Sequence, residues 1–103
     1  MDAAVMHEAM RVGLLDQLAN EIASTQIGFV LELPGMRDAT RRTLRDQGME
    51  TVTDRFFEST QATYVKTFGA ALPHDLCAPF KAAFMKAAAE YVEAWLASDG
   101  PKS

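Results

Sequence analysis

Cysteine is nearly missing from this chain: Cys77 is the only one in 103 residues. A single thiol cannot close an internal disulfide, so nothing asks for an oxidising compartment, and the chain reads as cytoplasmic. Basic side chains are also scarce, with ten Lys and Arg against fourteen Asp and Glu and a net charge of −4. That balance works against non-specific attraction to phosphate backbones and anionic membranes. No window holds eighteen uncharged apolar residues, as a membrane span would need. The opening stretch MDAAVMHEAMRVGLL carries Asp2, His7, Glu8 and Arg11 where an export signal would be apolar, and none is expected.

Chemistry-bearing motifs are equally sparse. No glycine-rich loop precedes a helix, no HExxH or ExxH pair occurs, and no nucleophile has a recognisable base beside it. His74, Asp75 and Cys77 stand together in HDLCAP, but a structural zinc site needs four ligands and the other histidine, His7, is far away in the chain. A turn cap beside a buried thiol accounts for them. The sequence predicts no enzyme, no cofactor and no metal.

What is present is apolar surface arranged at helical spacing. Hydrophobic residues make up 49% and charged residues 23%, which suits one ordinary globular domain spanning residues 1–103. The expected fold is all-α, a small bundle of three to four helices over about 3–33, 36–47, 49–69 and 79–98. Asp2 is the expected N-cap of the first helix, whose apolar series Leu14, Leu15, Leu18, Ile22, Phe29 and Leu33 follows helical spacing up to Pro34-Gly35. Gly13 marks an expected bend or change of neighbour. The second helix, MRDATRRTLRDQ, is mostly polar and carries Arg37, Arg41, Arg42 and Arg45. The third sets Val52, Phe56, Phe57, Tyr64 and Phe68 among four threonines, 53, 60, 63 and 67. Whether it continues the second is open. Pro79 suits the first position of the last helix, and Gly100-Pro101 its end.

The last helix is wider than one core requires. At 100° per residue, Phe80, Phe84, Ala87, Tyr91 and Trp95 form a core stripe roughly 80° wide. Met85, Ala88, Ala89, Val92 and Leu96 form a second shoulder beside it. At the end of the first helix Ile27, Val30 and Leu31 point away from the Leu18, Ile22, Phe29 stripe. This surplus predicts a protein interface made of Ile27, Val30, Leu31, Met85, Val92, Trp95 and Leu96, with Met and Trp among the types favoured in such contacts.

The turn FVLELPG at 29–35 and the aromatic carboxy-terminal helix YVEAWLAS at 91–98, on an acidic, all-helical chain of this length, resemble the small helical antiactivators of bacterial quorum sensing. The resemblance implies a non-enzymatic homodimer that binds the ligand-binding domain of a LuxR-type transcription activator, blocking its dimerisation and DNA binding. It assigns no functional residue by motif. Two alternatives from other classes stay open on the residues themselves. One is a small DNA-binding regulator that uses the Arg37–Arg45 helix. The other is a helical module that holds an apolar small molecule.

Overall fold

A computed structural model describes residues 3–69 and 71–97. It is an all-α bundle, with no strand among the described residues. The helices are α1 (Ala3–Ala9), α2 (Leu15–Glu32), α3 (Met36–Gln47), α4 (Met49–Phe68) and α5 (His74–Ala97). The expected N-cap at Asp2 and the stop at Gly100-Pro101 lie outside the described residues.

The first expected helix is two. Met10–Leu14 is wound loosely, as a π-type turn, around Gly13, whose φ of 108° lies in the left-handed region that side chains avoid. α2 ends where Leu33 turns extended before Pro34 and its N–H returns to the Val30 carbonyl at 3.1 Å. Gly48, with φ 91° and ψ 168°, separates α3 from α4, so these are two helices joined by one residue.

α5 starts earlier than its proline suggested. The Pro73 carbonyl accepts from the N–H groups of Leu76 (2.9 Å) and Cys77 (3.1 Å), which sets the helix start at His74 and leaves Pro79 inside the helix. Pro79 costs only the donor that the Asp75 carbonyl would receive, and Asp75 is exposed, where water can serve it. In return the extra turn buries Leu76 in line with Phe80 and Phe84.

α2, α4 and α5 form the body of the bundle, and α2 packs most extensively against α5. Arg11 pairs with Asp75, Asn20 with Tyr91 and Gly28 with Trp95, so the two helices run in the same direction. α4 runs back between them, with His7 meeting Tyr64 and Gln26 meeting Ser59. The α2 face in this seam is Ala19, Ala23, Ile27 and Leu31, spaced by four and at most 1% exposed. Its two alanines bring the backbones close, and Phe84, Ala88 and Val92 fill the facing side of the core with no exposure at all. Phe57 completes it from α4, its ring centroid 5.6 Å from that of Phe84 in an edge-on contact.

This seam changes the sequence reading. Ile27, Leu31 and Val92, expected at an interface, are core residues of a single chain. The buried line of α5 runs through Leu76, Phe80, Phe84, Ala88 and Val92, between the stripe and the shoulder that the spacing suggested, with Tyr91 and Trp95 half-buried at its edge. On α2 the inward face is the alanine stripe, and the larger residues Phe29 on the helix and Leu14 and Leu33 at its two ends are turned out.

Candidate functional site

Helix periodicity decides which of the displaced residues belong together. Ile22, Gln26, Phe29 and Leu33 fall within about 60° of one another around α2, on the side next to α4. Phe29 is 65% exposed and Leu33 44% exposed, whereas Ile22 is half-buried. An exposed phenylalanine one turn from an exposed leucine makes an apolar ledge, and the charged Glu32 beside it is polar rim.

Beside this ledge the α2–α4 seam is only partly filled. Gln26 Nε2 donates to Ser59 Oγ at 3.2 Å, forming a polar bar between the helices. A groove opens on each side of the bar. Toward α3 a space of about 390 Å³ lies among Val30, Met36, Thr40, Val52, Arg55 and Phe56. Toward α1 a space of about 370 Å³ lies among Met6, Ile22, Phe57, Thr60, Tyr64 and Phe80. α4 presents short polar side chains to both, Ser59 to the first and Thr60, Thr63 and Thr67 to the second.

The α4 threonines divide into two kinds. Thr53 is 2% exposed and its hydroxyl donates to the carbonyls of Met49 and Glu50, both at 3.1 Å. Thr51 bonds the Gln47 carbonyl in the same backward manner. Thr60 is 8% exposed, yet its Oγ1 is shut off from solvent and meets no partner. A buried hydroxyl in that state costs about 1–3 kcal/mol.

One end of the second groove is closed by α1. His7 Nε2 meets the Tyr64 hydroxyl and the two rings stack with centroids 5.9 Å apart. Burial pushes the Tyr64 hydroxyl above its ordinary pKa, because the phenolate would lose its water. Arg11 then holds Asp75 at the start of α5 through two contacts, at 3.2 and 3.3 Å. The hydrogen bond from Arg11 lowers the Asp75 carboxyl below its ordinary value, and the same bond raises the guanidinium of Arg11.

The arginines of α3 are partly committed to the fold. The Arg37 guanidinium lies 5.0 Å over the Trp95 ring, and the face of that ring stands in for acceptors that its buried Nε and Nη2 lack. Arg41 Nη2 donates to the Leu96 carbonyl at 2.9 Å, at the carbonyl-rich end of α5. Trp95 itself packs on Gly28, where an added Cβ would come 3.5 Å from the indole. Trp95 therefore joins α2, α3 and α5. Arg42 and Arg45 remain exposed, the latter paired with Asp46.

Of the seven residues that the sequence assigned to an interface, Val30 alone borders one of the grooves, lining the one toward α3. Met85, Trp95 and Leu96 are half-buried against the core. Ile27, Leu31 and Val92 are inside it. In HDLCAP, Asp75 is taken by Arg11 and Cys77 is half-buried. No group of three His, Cys, Asp or Glu side chains suited to a metal comes together among the described residues. Phe29 and Leu33 are the residues that sequence reasoning misplaced. Their signal was the alanine pair Ala19 and Ala23, whose spacing continues into Ile27 and Leu31. No family model, curated protein or solved structure matches the chain.

Proposed function

We propose that this protein is a non-enzymatic regulator that works by binding another protein through the α2 ledge. The observation that carries the reading is Phe29, 65% exposed one turn before the exposed Leu33 at the end of α2. A large aromatic held in water beside an exposed leucine is the kind of anchor that dominates protein contacts. Following the resemblance to the quorum-sensing antiactivators, the partner is the ligand-binding domain of a LuxR-type activator. Occupying its association surface prevents it from dimerising and binding DNA. A homodimer of this chain uses the same logic, since a symmetric pair of ledges can cover each other until a partner competes.

The DNA-binding alternative draws less support. Arg37 and Arg41 serve Trp95 and Leu96, which leaves Arg42 and Arg45 facing outward on a chain of net charge −4.

Sedimentation of the wild type and of Phe29→Asp, each alone and mixed with a purified LuxR-type ligand-binding domain, tests the proposal. The wild type should self-associate, form a mixed complex and reduce the activator's dimer. Phe29→Asp should stay folded and lose affinity on the order of tenfold or more. A wild type that is monomeric at all concentrations and forms no complex ends the reading, as does a Phe29→Asp variant that binds as well as the wild type.

A further inference from the structure

We propose that the groove between α2, α3 and α4 is a binding site for a small monocarboxylate with an apolar body, on the scale of a medium-chain fatty acid. The juxtaposition behind it is an apolar lining of Val30, Met36, Val52 and Phe56 beside two polar groups. One is Arg55, a cation with no ion pair among the described residues, and the other is Thr40, which is more than nine-tenths buried with its hydroxyl unused.

Thr40 and Thr43 stand about one turn apart on α3 and use their hydroxyls differently. Thr43 Oγ1 donates to the Ala39 carbonyl at 3.1 Å, whereas Thr40, 7% exposed, makes no hydrogen bond among the described residues. The Thr40 hydroxyl is not sealed from solvent, and the space that Thr40 lines is this groove. Thr60, across the polar bar, differs on that point, because its Oγ1 is closed to water. Arg55 lines the same groove from α4. Its Nη2 donates to Gln47 Oε1 at 3.3 Å, which leaves Nε and Nη1 unspent.

Charge sets the ligand class. Among the described residues that line this space of about 390 Å³, Arg55 is the only charged one, whereas the groove across the Gln26–Ser59 bar has Glu21 as its only charge. The two grooves are therefore opposite in sign, and an anion with an apolar body belongs in the one toward α3. A carboxylate brings one charge to match one guanidinium, and its two oxygens accept from the free N–H groups of the fork and from the Thr40 hydroxyl. A phosphate dianion would keep an unmatched charge on a chain of net charge −4. The volume lies at the lower end of sites that take small organic ligands, and apolar walls with a few convergent polar groups are their usual composition. Phe29 and Leu33 do not line this groove, so the site stands apart from the protein-binding ledge.

Calorimetric titration with octanoate, octanol and octyltrimethylammonium separates the charge from the apolar body, which all three share. Octanoate should bind saturably, one per chain, at least about tenfold more tightly than octanol, through hydrogen bonds to a charged group. The cation should bind more weakly still. Methyl resonances should place the ligand, with Met36 shifting on addition of octanoate and Met6, in the other groove, staying put. Arg55→Gln, at an exposed position, should keep helix content and melting temperature while octanoate affinity falls to that of octanol. Thr40→Val should weaken octanoate about fivefold through loss of one hydrogen bond, and Phe29→Ser should leave it unchanged. The proposal is overturned by octanol binding as tightly as octanoate, by full binding in Arg55→Gln, by no effect of Thr40→Val, by a shift of Met6 in place of Met36, or by loss of binding in Phe29→Ser. It is equally overturned by a wild-type dimer that takes up no octanoate and that Arg55→Gln separates, which would give the groove to a second copy of the chain.

Discussion

α2 takes part in two seams that differ in every respect except the helix they share. Against α5 it presents Ala19, Ala23, Ile27 and Leu31, all but sealed from water, to Phe84, Ala88 and Val92. Against α4 it presents Ile22 and Gln26, meets one serine across a hydrogen bond, and leaves open space on both sides. The first seam is made of shape: small residues let the backbones approach and large ones fill what remains. The second is made of exceptions, a polar bar, an unpartnered hydroxyl and an exposed phenylalanine. A chain that spends its tightest packing on one side of a helix can tolerate poor packing on the other, and the poorly packed side is where binding surface can be kept.

The largest effects should therefore come from the α2–α5 seam. Phe84→Ala removes a side chain with no exposure, and should cost about 3–5 kcal/mol, a large share of the stability of a domain of this size. Chemical denaturation should show the midpoint falling with an unchanged slope. Ala23→Leu adds bulk at a fully buried position of the α2 face and should cost about 1–3 kcal/mol in the same measurement. If it is instead neutral, the alanine stripe is not a close contact and the contrast between the seams weakens. Thr60→Val tests the other seam with the opposite sign. Removing a buried hydroxyl that has no partner should stabilise the fold by about 1 kcal/mol, raising the melting temperature by several degrees.

The smallest effect concerns the fastening of α1. The depressed pKa of Asp75 means that its pairing with Arg11 contributes fully above the ordinary carboxylate range and is lost as pH falls through the folded value. Arg11→Ala should lower stability near neutrality and leave it unchanged at strongly acidic pH, where Asp75 is protonated in both forms. Both groups are exposed, so the difference should shrink further in salt. The raised pKa of Tyr64 acts at the other extreme, with stability present below its ordinary value and lost as pH climbs through the folded one. An ultraviolet titration of the phenolate should register that climb, and Tyr64→Phe should remove it.

The helical fold was legible because punctuation in this chain is strong. Pro34-Gly35, Gly48 and Gly69 stand where α2, α3 and α4 end, and the periodicity between them is clear. The inward face of α2 was not legible by the size of its side chains. A helix that is apolar nearly all round offers two candidate stripes, and the eye favours the one with Leu18, Ile22, Phe29 and Leu33. Packing favoured the one with alanines, since close approach to α5 buries more than a bulky stripe held at a distance. Pro79 misled for a related reason. A proline can be carried inside a helix, near its start, when the turn added ahead of it buries a side chain, here Leu76, in the core. The tasks of Arg37 and Arg41 depend on where the end of α5 arrives, which no local pattern encodes.

The pairing of α2 with α5 has a consequence for how the chain is made. Because synthesis runs from the amino-terminal side, α2 emerges before α5, yet the surface that covers Ala19, Ala23, Ile27 and Leu31 comes from α5. Until α5 has left the ribosome, α2 has no partner for that face. Such an arrangement puts much of the stabilising contact at long sequence separation, which slows folding relative to a bundle whose successive helices pair in turn. Pulse-labelling of ribosome-bound chains should find α2 unprotected until residues through Val92 are exposed, then protected together with α5.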